Sequence, residues 1–136
     1  MQAVIALHGD LGSGKTTLTR HLLQTLGVAG RIKSPTYTIV EPYTVGALSI
    51  WHFDFYRFND PQEWEDAGFR DIFASPGLKL IEWPEKAAAI LPVADLDLRL
   101  TIALGTQDPQ NRSEAARLVT IDANTLLGAA LAGACT

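Results

Sequence analysis

Gly9-Asp10-Leu11-Gly12-Ser13-Gly14-Lys15-Thr16-Thr17 fills every fixed position of G-x-x-x-x-G-K-[ST], the pattern of a loop that cradles phosphate. Its flanks suit that reading. Ala3-Val4-Ile5-Ala6-Leu7 before it is the apolar run of a buried strand, and Leu18, Leu22, Leu23 and Leu26 after it share one face of a helix that Gly27 stops. Glycines at 9, 12 and 14 let successive amides, those of Leu11, Ser13 and Thr17 among them, turn around an anion. The helix beginning there adds its positive end. Lys15 is placed to reach the terminal phosphates of a nucleotide, and the Thr16 hydroxyl to ligate Mg²⁺. The alternative, a glycine turn with a chance lysine, does not require strand, loop and helix in this order.

Working outward, 136 residues with 47% hydrophobic content support one compact domain, residues 1–136, with a real core. The chain carries 11 basic and 15 acidic residues, a net charge of −4, with no basic run longer than a pair. A free-standing tRNA or DNA binder would be basic somewhere obvious, so any nucleic acid is expected to be handled by a partner. Cys135 is the only cysteine, which rules out an intrachain disulfide and predicts a cytoplasmic protein. No apolar run approaches the ~20 residues of a membrane helix, and the apolar, glycine-interrupted tail over 126–134 reads as a packing helix.

Further along, Thr38-Ile39-Val40-Glu41 has strand composition, and residues 43–47 read as a turn around Gly46. Leu48-Ser49-Ile50-Trp51-His52-Phe53-Asp54 and Leu78-Lys79-Leu80-Ile81-Glu82-Trp83 are strands that end on carboxylates. Asp60-Pro61-Gln62-Glu63 opens a helix that Gly68 breaks, residues 69–73 form a short turn, and Pro84 opens a second helix over 84–91. Strict alternation from Leu96 to Leu104, then residues 116–122 across a polar loop at 105–114, predicts an antiparallel pair. The fold class is therefore α/β, a three-layer domain with a mainly parallel P-loop sheet extended by antiparallel strands over 95–122.

A phosphate loop needs a second magnesium ligand or a water-orienting acid at a neighbouring strand end, and Asp54 and Glu82 both qualify. A solvated strand-end carboxylate is the plain reading of either one. His52 reads as a satisfied core or edge histidine, Trp83 as core, and Arg57 as a surface residue able to neutralise phosphoryl charge. Ser34 and Thr36 suit a turn, or a switch segment by their position after the loop helix. There is no N-K-x-D element for guanine, which favours ATP over GTP.

In this order, the phosphate loop, Ser34-Pro35-Thr36-Tyr37, His52-Phe53-Asp54-Phe55-Tyr56-Arg57, then Glu65, Gly68 and Asp71, and Ile81-Glu82-Trp83-Pro84-Glu85-Lys86 resemble the TsaE family, the small bacterial ATPases of tRNA threonylcarbamoyladenosine biosynthesis. The resemblance covers residue 3 to about 90. It implies that Lys15 and the loop from Leu11 to Thr16 hold ATP, that Thr16 and Glu82 bind Mg²⁺, and that Asp54 is needed for hydrolysis. Residues 34–36 would form a switch-like segment, and Trp83 would lie beside the nucleotide or a partner surface. It also implies two related partner proteins, one carrying the threonylcarbamoyl transferase site, acting on adenosine 37 of ANN-decoding tRNAs. Members usually carry a leader before the first strand, whereas Met1 here adjoins that strand, so a weakened adenine pocket is expected. Phe55 stands where leucine is usual, a change that volume tolerance should absorb. Two rival readings are a small metabolite kinase, which would need an acceptor pocket and an arginine-bearing lid, and a nucleotide-dependent interaction module with little turnover.

Overall fold

The computed structural model describes residues 2–10, 12–32, 35, 38–60, 62, 68–102 and 117–134. In chain order the elements are β1 (Gln2–His8), α1 (Lys15–Leu26), β2 (Val40–Val45), β3 (Leu48–Asp54), α2 (Phe69–Ala74), β4 (Gly77–Glu82), a 3₁₀ turn (Pro84–Ala87), β5 (Leu96–Ile102), β6 (Arg117–Ala123) and α3 (Leu126–Ala134). The strands form one six-stranded sheet of order β2-β3-β4-β1-β5-β6. β3, β4, β1 and β5 run parallel, and an antiparallel strand closes each edge.

Period-two alternation sorts the side chains onto two faces. Ala3, Ile50, Leu78 and Leu80 face one layer, where Leu22, Leu23 and Leu26 of α1 and Leu131 of α3 pack. Val4, Phe53 and Ile81 face the other, against Phe69 and Phe73 of α2 and Ala87 of the 3₁₀ turn. All five phenylalanines of the chain meet there. Phe53 stacks on Phe73 at 4.8 Å and on Phe55 at 5.5 Å, and Phe69 meets Phe53 edge-on. Each such burial stabilises by roughly 1.5–3 kcal/mol. Phe55 is itself fully buried, with Phe58 edge-on at 5.2 Å. Every residue of β4 is buried, as a strand with neighbours on both edges and layers on both faces must be. The three-layer α/β arrangement expected from the sequence is present.

Several expectations need correction, the first being that residues 69–73, expected as a short turn, lie in the helix α2 (Phe69–Ala74). The strand expected over 38–41 starts at Val40 and runs through Pro42 to Val45, so the turn is only Gly46 and Ala47 between paired Val45 and Leu48. A proline without an N–H is tolerated because β2 is an edge strand. The antiparallel pair expected over 95–122 is present as β5 and β6, but β5 itself is not antiparallel to the strand it joins in the rest of the sheet. β5 runs parallel to β1, because the segment after β4 crosses the face of β1 before returning, and alternation carries no information on direction. The helix expected over 84–91 is a single 3₁₀ turn: Ile90 and Leu91 both donate to the Ala87 carbonyl, and Pro92 disfavours helix at the residue before it. The helix expected from Asp60 and the loop at 105–114 lie outside the described residues, as does Cys135. Among the described residues no helix is long and apolar enough to cross a membrane.

One polar group sits in the phenylalanine layer. Lys79 of β4 is 0% exposed; its Nζ donates to the Ser75 carbonyl and lies 5.2 Å from the Trp51 ring. Burial holds its ammonium below the ordinary lysine value of 10.5. The folded chain thus releases this proton at a lower pH than the unfolded chain, and between the two values stability rises with pH. Relative to Lys79→Met, the unsubstituted chain is expected to gain urea-unfolding free energy as pH climbs from neutrality towards 10.5. A constant difference between the two proteins would show that burying Lys79 carries no charge penalty.

Candidate functional site

Beyond β1 the backbone turns at Gly9 and re-enters helix at Lys15, with Gly14 as the N-cap at φ 104°, a conformation that favours glycine. The Ser13 amide donates to the Asp10 carbonyl at 3.0 Å and the Leu18 amide to Gly14 at 2.9 Å. A Cβ at Gly9 would run into Ser13 Oγ and stand 2.8 Å from the Leu100 carbonyl, so β5 presses on the loop from behind. Beside the loop a cavity of about 430 Å³ opens between His8, Gly9 and Asp10 and the facing Arg99 and Thr101, within the ~300–1,000 Å³ range of small-molecule sites.

Lys15 is only 5% exposed. Its Nζ donates to the Gly9 carbonyl and lies 3.6 Å from the centroid of the Trp83 ring, a cation–π contact. Burial pulls its pKa below the ordinary lysine value, opposed by the charges of Glu82, Glu85, Asp54 and Asp10. Trp83 has φ 58°, a left-handed conformation that costs a bulky residue about 1–3 kcal/mol. Its ring also lies 5.0 Å from Tyr56 and packs against the phenylalanine cluster. Trp83, read from the sequence as core, is thus half-buried against the core and forms a wall of the lysine site.

The carboxylates arrive by strand register. β3 and β4 are parallel with Asp54 opposite Glu82, so both acids stand at the same strand ends. Alternation puts Ile50, His52 and Asp54 on one face of β3 and Leu80 and Glu82 on the matching face of β4, the face that α1 covers. Glu82 is 1% exposed; Thr16 Oγ1 donates to its Oε1 at 2.9 Å, and His52 Nε2 lies 2.5 Å from its Oε2. Asp54 Oδ1 accepts from the Tyr56 amide at 2.9 Å. Burial pushes the Asp54 carboxyl up and the Glu82 charge adds to this, against the Tyr56 amide, His52 and Lys15.

Among the described residues there is no group of three or more His, Cys, Asp or Glu side chains able to hold a metal by themselves. The hydroxyl and carboxylate of Thr16 and Glu82, with Asp54 abreast, are instead the hard oxygen donors that suit Mg²⁺, an ion that keeps waters and shares phosphate oxygens rather than filling a protein cage.

The structure therefore brings together Gly9, Ser13, Gly14, Lys15, Thr16, Glu82 and Trp83, with Asp54 beside them by register. Gly12 of the loop and Thr17 of α1 are exposed, and Arg57 is exposed as well. Leu11, Ser34 and Thr36 lie outside the described residues. Sequence reasoning missed His52, taking it for a satisfied histidine. The signal was present: two positions before Asp54 on a strand, it had to share the face of that acid.

Because Glu82 accepts from half-buried Thr16 and buried His52, Glu82→Ala is expected to strand the Thr16 hydroxyl and the His52 ring, with a stability loss of about 1–3 kcal/mol in urea unfolding. Glu82→Gln, which keeps one acceptor oxygen, should lose less. Equal losses would mean that side-chain volume, not hydrogen bonding, holds the cluster.

Comparison with known proteins places this geometry. The family model described as "Threonylcarbamoyl adenosine biosynthesis protein TsaE" matches residues 1–113. The tRNA threonylcarbamoyladenosine biosynthesis protein TsaE of Haemophilus influenzae is 54% identical over 93 residues, covering 68% of this chain and 59% of that protein. That of Bacillus subtilis is 40% identical over 95 residues, covering 70% and 59%. The chain thus spans 59% of the length of both relatives. The crystal structure of Bacillus subtilis YdiB superimposes with a TM-score of 0.71 at 29% identity, over 97% of this chain and 75% of that one. With the family match running well past the phosphate loop and both strand-end acids, and with relatives and a solved fold agreeing, the chain belongs to the TsaE family.

Proposed function

We propose that the chain is a Mg²⁺-dependent ATPase that acts with partner proteins in the threonylcarbamoyladenosine modification of tRNA. The observation that carries this reading is the meeting of the loop and the strand end: Thr16, next to buried Lys15, donates to Glu82 at 2.9 Å. A phosphate loop and an acid from the adjacent strand are the two halves of an NTP-hydrolysing site.

On this reading the loop amides and the N-terminus of α1 bind the phosphates. Lys15 exchanges the Gly9 carbonyl for phosphate oxygens and is shielded from water by Trp83. Thr16 and Glu82 would hold Mg²⁺, which supplies neutralising charge to the phosphate oxygens when bound. Asp54 orients the attacking water and accepts its proton, a task suited to a carboxyl whose pKa burial has raised. The acidic balance of the chain supports leaving tRNA to partners. The names of the relatives support the pathway, and two related proteins, one of them the threonylcarbamoyl transferase, are the proposed partners.

Steady-state ATP hydrolysis should be low for the chain alone and rise when the two partners are added. Lys15→Ala is expected to lose tight ATP binding, whereas Glu82→Ala should keep some binding and lose Mg²⁺-dependent turnover. Normal hydrolysis by Glu82→Ala would transfer the acid's role to Asp54. A phosphorylated metabolite in place of free phosphate would overturn the ATPase reading.

A further inference from the structure

We propose that His52 is the positioning residue for the Glu82 carboxylate: by engaging Oε2 it leaves Oε1 as the single oxygen turned towards Thr16 and a divalent cation held there. The inference rests on the Mg²⁺-dependent reading above and deepens it.

The terminal torsion of a glutamate is soft, so an unrestrained carboxylate can offer either oxygen or both. Here the two oxygens are assigned different partners, Thr16 Oγ1 at 2.9 Å on Oε1 and His52 Nε2 at 2.5 Å on Oε2. His52 can set that orientation because its own place is fixed. It lies inside β3, paired with Glu41 on one side and Leu80 on the other, and is 1% exposed. Its other ring nitrogen, Nδ1, is buried with no hydrogen-bond partner among the described residues. An unsatisfied buried nitrogen costs about 1–3 kcal/mol, a cost that an apolar side chain at this core position would not incur. Packing alone therefore does not account for a histidine here, and the bond from Nε2 does.

The two ring nitrogens differ in reach, which makes the inference testable. A glutamine amide extends to about where Nε2 sits, whereas an asparagine amide stops near Nδ1. The experiment measures equilibrium binding of a fluorescent ADP analogue to the purified chain as Mg²⁺ is added back after chelation, with no turnover involved. Thermal unfolding of every variant is followed in parallel. His52→Gln should need Mg²⁺ at a concentration close to that of the unsubstituted chain. His52→Asn and His52→Leu should need roughly 10–100-fold more, the usual effect of removing a group that orients a metal ligand. Binding with Mg²⁺ absent should change little in all three. If Thr16→Ala loses the Mg²⁺ response while His52→Asn and His52→Leu keep it, the positioning role is overturned and the ATPase reading stands. Shifts in Mg²⁺ requirement that track thermal stability, with glutamine no better than asparagine, would also overturn it. Mg²⁺-independent binding by the unsubstituted chain would remove both.

Discussion

The Glu82 carboxylate is a charge removed almost entirely from water, and such a group persists only where hydrogen bonds replace its hydration. Its two oxygens are met by a hydroxyl from the first turn of α1 and an imidazole from the middle of β3. One side chain at the end of the central strand thus ties the loop helix to the neighbouring strand. The rest of the site inherits its geometry from this tie. Thr16 is oriented by it, Lys15 precedes Thr16 on the helix, and Trp83 follows Glu82 in the chain and is carried over the Lys15 ammonium.

The electrostatics around that point are unbalanced in a way that suits a cationic ligand. Glu82, Glu85, Asp54 and Asp10 all act on Lys15, raising a pKa that burial pulls below the ordinary lysine value. Asp54 feels both burial and the Glu82 charge. A divalent ion with bound phosphates would bring opposite charges to each of these groups at once, the lysine gaining anions and the acids a cation. The left-handed backbone at Trp83 places additional strain at the same spot, as is common where a side chain must be aimed rather than merely packed.

Much of this was legible beforehand, and where it was not, the reason is physical. The loop motif is local: the glycine conformations, the helix start and the lysine all follow from nine consecutive residues. Strand ends at Asp54 and Glu82 were readable because apolar runs stop there. The 3₁₀ turn after Trp83 was not, since residues 84–91 have helical composition and only closure onto the Ala87 carbonyl, together with Pro92, ends the helix early. The direction of β5 was likewise hidden, because alternation is identical in parallel and antiparallel strands. Phe55, read as a tolerated exchange, lies in the centre of the aromatic layer, a neighbourhood assembled from β3, the segment after it and α2.

By itself the sequence determined the glycine-rich loop motif, the class of fold and the place of Asp54 and Glu82 at strand ends, because those depend on the order and spacing of residues close together in the chain. Tertiary structure alone decided which acid faces the loop hydroxyl, that His52 rather than solvent holds the far oxygen, and that Trp83 covers the lysine. These depend on the register of β3 against β4 and on the helix laid across them. Register is set by packing across the whole sheet, and no local stretch of residues encodes it.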